Sequence, residues 1–180
     1  MKATPTALPD VLLLQPKVFA DARGFFLESY NKQVFEALSG WSGEFVQDNH
    51  SRSGRGVLRG LHYQLQQPQG KLVRVVRGSI YDVVVDLRRS SATFGRWIAV
   101  DLTDQEHAQL WIPPGFAHGF QVTSEFAELQ YKTTDYYAPA SERCLAWNDP
   151  QLAIPWPIAD PILSAKDQVG KRLADAETYA

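Results

Sequence analysis

Cysteine and methionine each occur only once in the 180-residue sequence, and long apolar runs are missing. Cys144 cannot form an internal disulfide and has no second thiolate with which to build a cysteine-rich metal site, which favours a reducing compartment. The longest apolar run near the N-terminus, residues 11–14, is too short for a signal-peptide core or a membrane span. These absences predict a cytoplasmic protein with no membrane partner.

The sequence also lacks an excess of either charge, because 18 Lys and Arg oppose 20 Asp and Glu. A nucleic-acid binder usually carries a broad basic surface, so no nucleic-acid partner is expected and any anionic ligand must be bound by local groups. The 44% apolar and 12% aromatic content is enough for a sizeable core. With no repeat, linker or low-complexity tract, residues 1–180 are predicted to form one domain.

Alternating apolar residues predict a mainly β fold. Between Ile80 and Leu87, odd-numbered residues share one face of a strand and even-numbered residues the other. Further strands are predicted at residues 97–102, 110–112, 120–122 and 126–133. Short strands at this spacing indicate a sandwich or barrel, and a jelly roll could hold a ligand in its mouth. Short peripheral helices are predicted at about residues 32–38, behind an Asn31 cap, and after Ser164.

Three segments are rich in polar residues where a β domain usually places apolar ones: residues 47–51, 58–62 and 113–120. His62 and His118 each lie beside apolar neighbours. From their surroundings alone, each could be a buried structural histidine or a functional one. His50 and His107 lie among polar residues and are interpreted as surface histidines.

The spacing Pro-x-Gly-x-x-His at residues 113–118 resembles the second motif of the cupin superfamily. Metal-binding cupins would also show His-x-His followed by Glu in the first motif. Here His62 is followed two residues later by Gln64, and no Glu lies between Gln64 and Lys71. Because a mononuclear site needs about three or four converging ligands, no metal is expected and a metal-dependent oxygenase is disfavoured.

Seven collinear segments together closely resemble the dTDP-4-dehydrorhamnose 3,5-epimerase family within the cupins. They are residues 23–28, 47–51, 56–62, 71–73, 111–120, 131–132 with 136–137, and 163–167. The resemblance implies a double-stranded β-helix, or jelly-roll barrel, with short peripheral helices. It also implies inversion of carbons 3 and 5 of dTDP-4-keto-6-deoxy-D-glucose, without a cofactor, to give dTDP-4-keto-L-rhamnose on the route to dTDP-L-rhamnose.

The resemblance further implies four catalytic residues. His62 matches the base, Asp167 the carboxylate that orients it, Lys71 the cation near the ketone oxygen, and Tyr131 the acid on the opposite face. Such an enzyme needs these groups because removal of a proton beside a ketone creates an enolate. A purely structural role stays open for three of these residues. Asp167 also fits a helix capping box with Ser164, Tyr131 could be a core tyrosine, and Lys71 could be a solvated lysine.

Substrate-binding positions carried over from the family surround these four. The set comprises Arg23, Phe26, Glu28, Gln47, Asn49, Ser51, Arg59, Lys71, His118, Tyr137, Glu142 and Lys166. Arginine suits two-pronged bonds to diphosphate oxygens, Tyr137 matches an aromatic that stacks on thymine, and His118 is assigned to sugar binding. The family's usual homodimer would let Arg23, Phe26 and Glu28 complete the partner's cleft.

Arg59 and His62 have opposite parity and would point to opposite faces of a regular strand, although both are expected in the cleft. The sequence therefore predicts a β-bulge or kink at Gly60. Two other functions remain open: an epimerase that inverts only carbon 3 or only carbon 5 of another dTDP-4-keto-deoxysugar, and a non-catalytic cupin that binds sugar nucleotides.

Overall fold

The structure, a computed structural model, describes all of residues 1–180 and contains thirteen strands and two α-helices. The strands are β1 (Lys2–Pro5), β2 (Leu12–Gln15), β3 (Val18–Asp21), β4 (Gly24–Leu27), β5 (Gln47–Gly54), β6 (Leu58–Gln64), β7 (Lys71–Arg77), β8 (Ser79–Asp86), β9 (Trp97–Thr103), β10 (Gln109–Ile112), β11 (Phe116–Val122), β12 (Phe126–Thr133) and β13 (Glu142–Cys144). The helices are α1 (Lys32–Ser39) and α2 (Ala165–Gln168), and two 3₁₀ turns lie at Pro139–Ser141 and Leu173–Asp175. The prediction of a mainly β chain with short helices is confirmed.

Two antiparallel sheets face each other. One has six strands in the order β1-β2-β10-β7-β12-β5, and the other has five in the order β13-β6-β11-β8-β9. Strands β3 and β4 form a separate hairpin. Neighbours in the sheets are mostly distant in sequence, as in a jelly roll, so side chains far apart along the chain meet between the layers.

The core lies between the two sheets and follows the alternation of the strands. Ile80 and Val84 of β8 pack in the same cluster as Val73 and Val75 of β7 and Leu129 of β12. The odd-numbered residues of β8 point the other way. They form a second core beneath the C-terminal segment, so this strand is buried on both faces.

An aromatic cluster seals the outer face of the six-stranded sheet. Asn31 caps α1 by accepting a hydrogen bond from the Val34 amide, and the helix presents Phe35 to Trp111 with ring centroids 5.0 Å apart. Trp41 and Phe45 pack on the same two rings. Neither α1 nor α2 has the length and apolar character that a bilayer-crossing helix requires.

The predicted bulge at Gly60 is confirmed. Along β6 and β11, His62 pairs with His118 and Arg59 pairs with Phe120, so three steps on β6 oppose two on β11. Gly60 has φ of 120°, and a Cβ there would lie 2.6 Å from the Gly119 Cα. Only glycine fits this crossing, and the extra residue lets Arg59 and His62 both line the space between the sheets.

Candidate active site

A cavity of about 360 Å³ opens between the two sheets. Most of the sequence-predicted site residues meet in its wall: Gln47, Asn49, Ser51, Arg59, His62, Lys71, His118, Tyr131, Tyr137, Glu142 and Lys166. Its size is within the usual range for small-molecule sites. The structure therefore gathers residues from 47 to 166 into one place.

Strand register explains this convergence. In the six-stranded sheet, Tyr131 pairs with Asn49 on one side and Val73 on the other. In the five-stranded sheet, His62 pairs with His118. Because alternate residues of a strand share a face, these side chains and Lys71 all point between the sheets. His62 and Tyr131 thus face the cavity from opposite walls.

His62 is held by a buried carboxylate. Its Nε2 lies 2.6 Å from Asp167 Oδ1, and Asp167 is only 2% exposed. Burial alone would raise the pKa of this carboxyl, but the hydrogen bonds from His62 and Ser164 outweigh it and hold the pKa below its ordinary value. The carboxylate therefore fixes the proton of the neutral imidazole on Nε2 and leaves Nδ1 free to accept one.

Asp167 owes its position to a helix cap. The Ser164 hydroxyl accepts a hydrogen bond from the Asp167 amide at 3.3 Å and donates to Asp167 Oδ2 at 2.7 Å. The two alternatives for this segment therefore coexist, since the cap that starts α2 also aims the free Oδ1 at His62.

His118 forms a second histidine–carboxylate pair deeper in the sandwich. Its Nε2 lies 3.0 and 2.9 Å from the two oxygens of Asp82, a residue of β8 with no exposed surface. A buried polar group without a partner is costly, so the pair keeps both residues in place.

Lys71 is buried in the cavity wall and forms no ion pair. Desolvation lowers the pKa of its ammonium to about 8, although the charges of Glu142 and Asp82 oppose the shift. Its charge is therefore poorly compensated by the chain and available to a ligand oxygen. The alternative of a solvated lysine is wrong, because Lys71 is buried on the strand face that also carries Val73 and Val75.

Tyr131 lines the opposite wall, and burial raises the pKa of its phenol above the ordinary value. The group therefore keeps its proton at neutral pH and can donate it. The Tyr131 ring also packs against the central core. Tyr131 is therefore both a core residue and part of the cavity wall.

The outer part of the cavity is polar and charged. Lys166 Nζ lies 2.7 Å from Glu142 Oε1, and the half-exposed Tyr137 donates its hydroxyl to Glu142 Oε2 at 2.9 Å. Arg59 donates to the Ser53 hydroxyl at 3.0 Å and forms no ion pair. This end offers cationic groups and an exposed ring, which suits an anionic aromatic ligand such as a nucleotide.

Comparison with known proteins agrees with this geometry. The family model described as dTDP-4-dehydrorhamnose 3,5-epimerase matches residues 5–175. A dTDP-4-dehydrorhamnose 3,5-epimerase from Pseudomonas aeruginosa is 60% identical over 180 residues, 99% of each chain. The chain belongs to the dTDP-4-dehydrorhamnose 3,5-epimerase family.

Two solved structures place this epimerase chain within the cupin-like fold. One is a dTDP-6-deoxy-D-glucose-3,5-epimerase from Legionella pneumophila in complex with dTDP-4-keto-L-rhamnose. It is 49% identical with a TM-score of 0.95, covering 98% of this chain and 94% of that one. The other is a 3'-monoepimerase from Streptomyces bikiniensis in complex with dTDP-quinovose. It is 34% identical with a TM-score of 0.90, covering 97% and 88%. The predicted cupin fold is confirmed.

Three family-matched residues lie outside the cavity of this epimerase chain. Arg23 and Phe26 belong to the β3–β4 hairpin, where the Arg23 side chain is 90% exposed beside Asp21 and Phe26 is 69% exposed. Glu28 follows the hairpin and accepts a hydrogen bond from Asn31. Within one chain, these three do not join the other site residues.

Sequence reasoning missed two neighbours of the epimerase site and one structural role. The sequence pattern indicates only a strand position for Asp82 and no function for Cys144, whereas the structure places Asp82 on His118 and Cys144 beside Asp167. Gln64, where metal-binding cupins have a histidine, instead braces a loop through the Gln67 and Tyr136 carbonyls and the Ala138 amide. The signal for Asp82 in the sequence is its charge on a strand face that it shares with the apolar Ile80 and Val84.

Proposed function

We propose that this chain converts dTDP-4-keto-6-deoxy-D-glucose to dTDP-4-keto-L-rhamnose by inverting carbons 3 and 5. The observation that supports this most is that His62 and Tyr131 face one cavity from opposite sheets, with Lys71 in its wall. Inversion requires that a proton leave one face of a carbon and return to the other, so a base and an acid must oppose each other. The chain supplies both, and the proposed reaction uses no cofactor.

His62 is the proposed base. Both carbons adjoin the ketone, so loss of a proton leaves an enolate. Asp167 accepts a hydrogen bond from Nε2–H, which leaves the Nδ1 lone pair to take the proton from carbon. The carboxylate then stabilises the imidazolium that forms.

Lys71 stabilises the enolate oxygen in this proposal. Its ammonium has little compensation from the chain, and a fixed positive charge in a water-poor site favours the enolate over the ketone. His118, held by Asp82, binds the sugar from the adjacent strand position.

Tyr131 returns the proton on the far face. A phenol with a raised pKa is protonated at neutral pH. The carbanion formed beside the ketone is a strong base, so it takes the proton from the Tyr131 hydroxyl. The His62 imidazolium then releases its proton to solvent and solvent reprotonates the Tyr131 phenolate, so the base and the acid are both reset for the second carbon.

The outer cavity binds the dTDP portion. Arg59 and Lys166 meet the diphosphate, and Tyr137 stacks on the thymine. The remaining polar positions, Gln47, Asn49, Ser51 and Glu142, contact the ligand or orient its cationic partners, as Glu142 does for Lys166.

A homodimer is part of the proposal. The β3–β4 hairpin exposes Phe19, Phe25 and Phe26 by 52, 61 and 69%, and an exposed apolar patch of this kind favours a protein interface. Packed on a second copy, the hairpin would bring Arg23, Phe26 and Glu28 to the partner's cleft. Light scattering is expected to give twice the chain mass, and Phe26→Ser to weaken the dimer.

The proposal retains two further expectations from the sequence: a cytoplasmic location and one domain spanning residues 1–180. Cell fractionation tests the first. A single cooperative unfolding transition, coincident by fluorescence and circular dichroism, supports the second, whereas two separate transitions would contradict it.

A single-centre epimerase is the second candidate, favoured by the 34% identity to a 3'-monoepimerase. A non-catalytic binder would have no need for an opposed base, acid and lysine. Incubation of metal-stripped protein with dTDP-4-keto-6-deoxy-D-glucose in heavy water, followed by mass spectrometry, separates the three. Two deuterons above an enzyme-free control with inverted product support 3,5-epimerisation. One deuteron indicates a single centre, and none contradicts catalysis on this substrate.

A further inference from the structure

Cys144 lies beside the proposed catalytic base although no step of the reaction uses it. It pairs directly with His62 across β13 and β6, and residues paired in this way place their side chains on the same face. Its Sγ is 3.9 Å from Asp167 Oδ1. One ligand atom each from His62, Cys144 and Asp167 falls within 4.8 Å of the others.

We propose that His62, Cys144 and Asp167 form a site for a thiophilic divalent cation of the zinc class, and that its occupation turns the base off. The inhibitory part rests on the proposed role of His62, whereas the binding part does not.

The donor set selects the metal. Thiolate, imidazole and carboxylate together suit Zn²⁺, while Mg²⁺ and Ca²⁺ prefer oxygen ligands alone. Tetrahedral zinc with ordinary bond lengths separates its ligand atoms by about 3.4 to 3.6 Å. The sulfur–oxygen distance of 3.9 Å is already close, and the imidazole and carboxylate at 2.6 Å need to part by about 0.8 Å. Water takes the fourth position.

A second layer of contacts supports the ligands. Ser164 donates to the Asp167 oxygen that faces away from His62, which leaves Oδ1 for the metal. Cys144 is half-buried and free of any disulfide. Because the thiolate is the form that binds a metal, a thiol at this position releases its proton to solvent as the sulfur–metal bond forms.

Binding blocks catalysis for a specific reason. A metal on Nε2 takes the place of the proton that Asp167 holds there, and the neutral imidazole then carries its proton on Nδ1. Nδ1 is the atom proposed to accept the substrate proton. A metallated His62 is therefore correctly placed but has no free lone pair.

Cobalt(II) titration of the full-length protein tests binding without reference to catalysis. Wild type is expected to develop thiolate-to-cobalt charge-transfer absorption that stoichiometric Zn²⁺ abolishes, and Cys144→Ser to lack it. His50→Ala, which removes an exposed histidine that does not line the cavity, is the control and should behave as wild type. Absence of the absorption in wild type, or its persistence in Cys144→Ser, would overturn the site.

Zn²⁺ inhibition of the epimerase assay tests the consequence. Wild type and His50→Ala should lose activity and recover it with a chelator, while Cys144→Ser keeps its basal rate and needs about 100-fold more Zn²⁺. If Cys144→Ser unfolds, Cys144→Ala serves instead. Equal inhibition of all variants, or thiolate-bound metal with undiminished activity, contradicts the proposal. An inactive wild type that still shows the cobalt signal contradicts the proposed function and leaves the metal site supported.

Discussion

Two histidine–carboxylate pairs lie side by side in the five-stranded sheet, and their surroundings differ. His62 and His118 are register partners, yet the first meets one oxygen of a carboxylate carried by a capped helix, and the second meets both oxygens of a carboxylate within the sheet. The His62 side chain is 26% exposed and that of His118 is 10%. In the proposed function, these similar pairs have different roles: the His62 pair exchanges protons with a ligand, and the His118 pair holds its histidine in place.

Replacing His62, the more exposed of the two histidines, should lower the catalytic rate more than any other substitution considered below. His62→Asn keeps a hydrogen-bonding side chain but cannot take a proton, so kcat should fall about 10³- to 10⁴-fold. Steady-state kinetics with the purified variant measures it, and circular dichroism checks that the fold persists. A loss below tenfold would mean that another group is the base.

Lys71→Met tests the buried cation in the cavity wall. The side chain keeps its approximate length, so the expected loss is about 10²- to 10³-fold in kcat with little change in KM, because the lost interaction belongs to the enolate. A change confined to KM would instead assign Lys71 to substrate binding.

Activity should also fall at alkaline pH as Lys71 loses its charge. Its pKa is lowered to about 8 by burial, and the protonated form is the active one, so kcat/KM should drop about tenfold per pH unit above 8. Lys71→Arg stays charged throughout this range and should abolish that limb, whatever its absolute rate. An unchanged alkaline limb in Lys71→Arg would assign the titration to another group.

Asp82→Asn should have the smallest effect on rate. It leaves the base intact and weakens only the hold on His118, so about a tenfold loss in kcat/KM is expected, together with lower thermal stability because the site is fully buried. The loss of activity in Asp82→Asn should therefore be much smaller than the loss in His62→Asn. Equal losses in the two variants would mean that both pairs transfer protons.

Local patterns in the sequence predict much of this architecture. Alternation placed β8 and β12, the Asn31 and Ser164 caps placed both helices, and the parity of Arg59 and His62 required the bulge at Gly60. Each of these depends on residues close together in the chain.

Long-range register accounts for what could not be predicted. Cys144 meets His62 only because β13 pairs with β6, and Asp82 meets His118 only because β8 and β11 are neighbours. Such pairings depend on the whole sheet topology, which no local pattern contains. The resemblance to the epimerase family supplied residues for the site but gave no role to either of these two neighbours.

Position-resolved deuterium exchange by Tyr131→Phe tests the central claim that His62 and Tyr131 act on opposite faces. The variant retains the base, so substrate in heavy water should take up deuterium beside the ketone while its configuration is retained, because only His62 can return the proton. Nuclear magnetic resonance of the recovered sugar distinguishes exchange from inversion. Inversion at the wild-type rate would contradict the assignment of Tyr131 as the acid and, with it, the opposed arrangement on which the account depends.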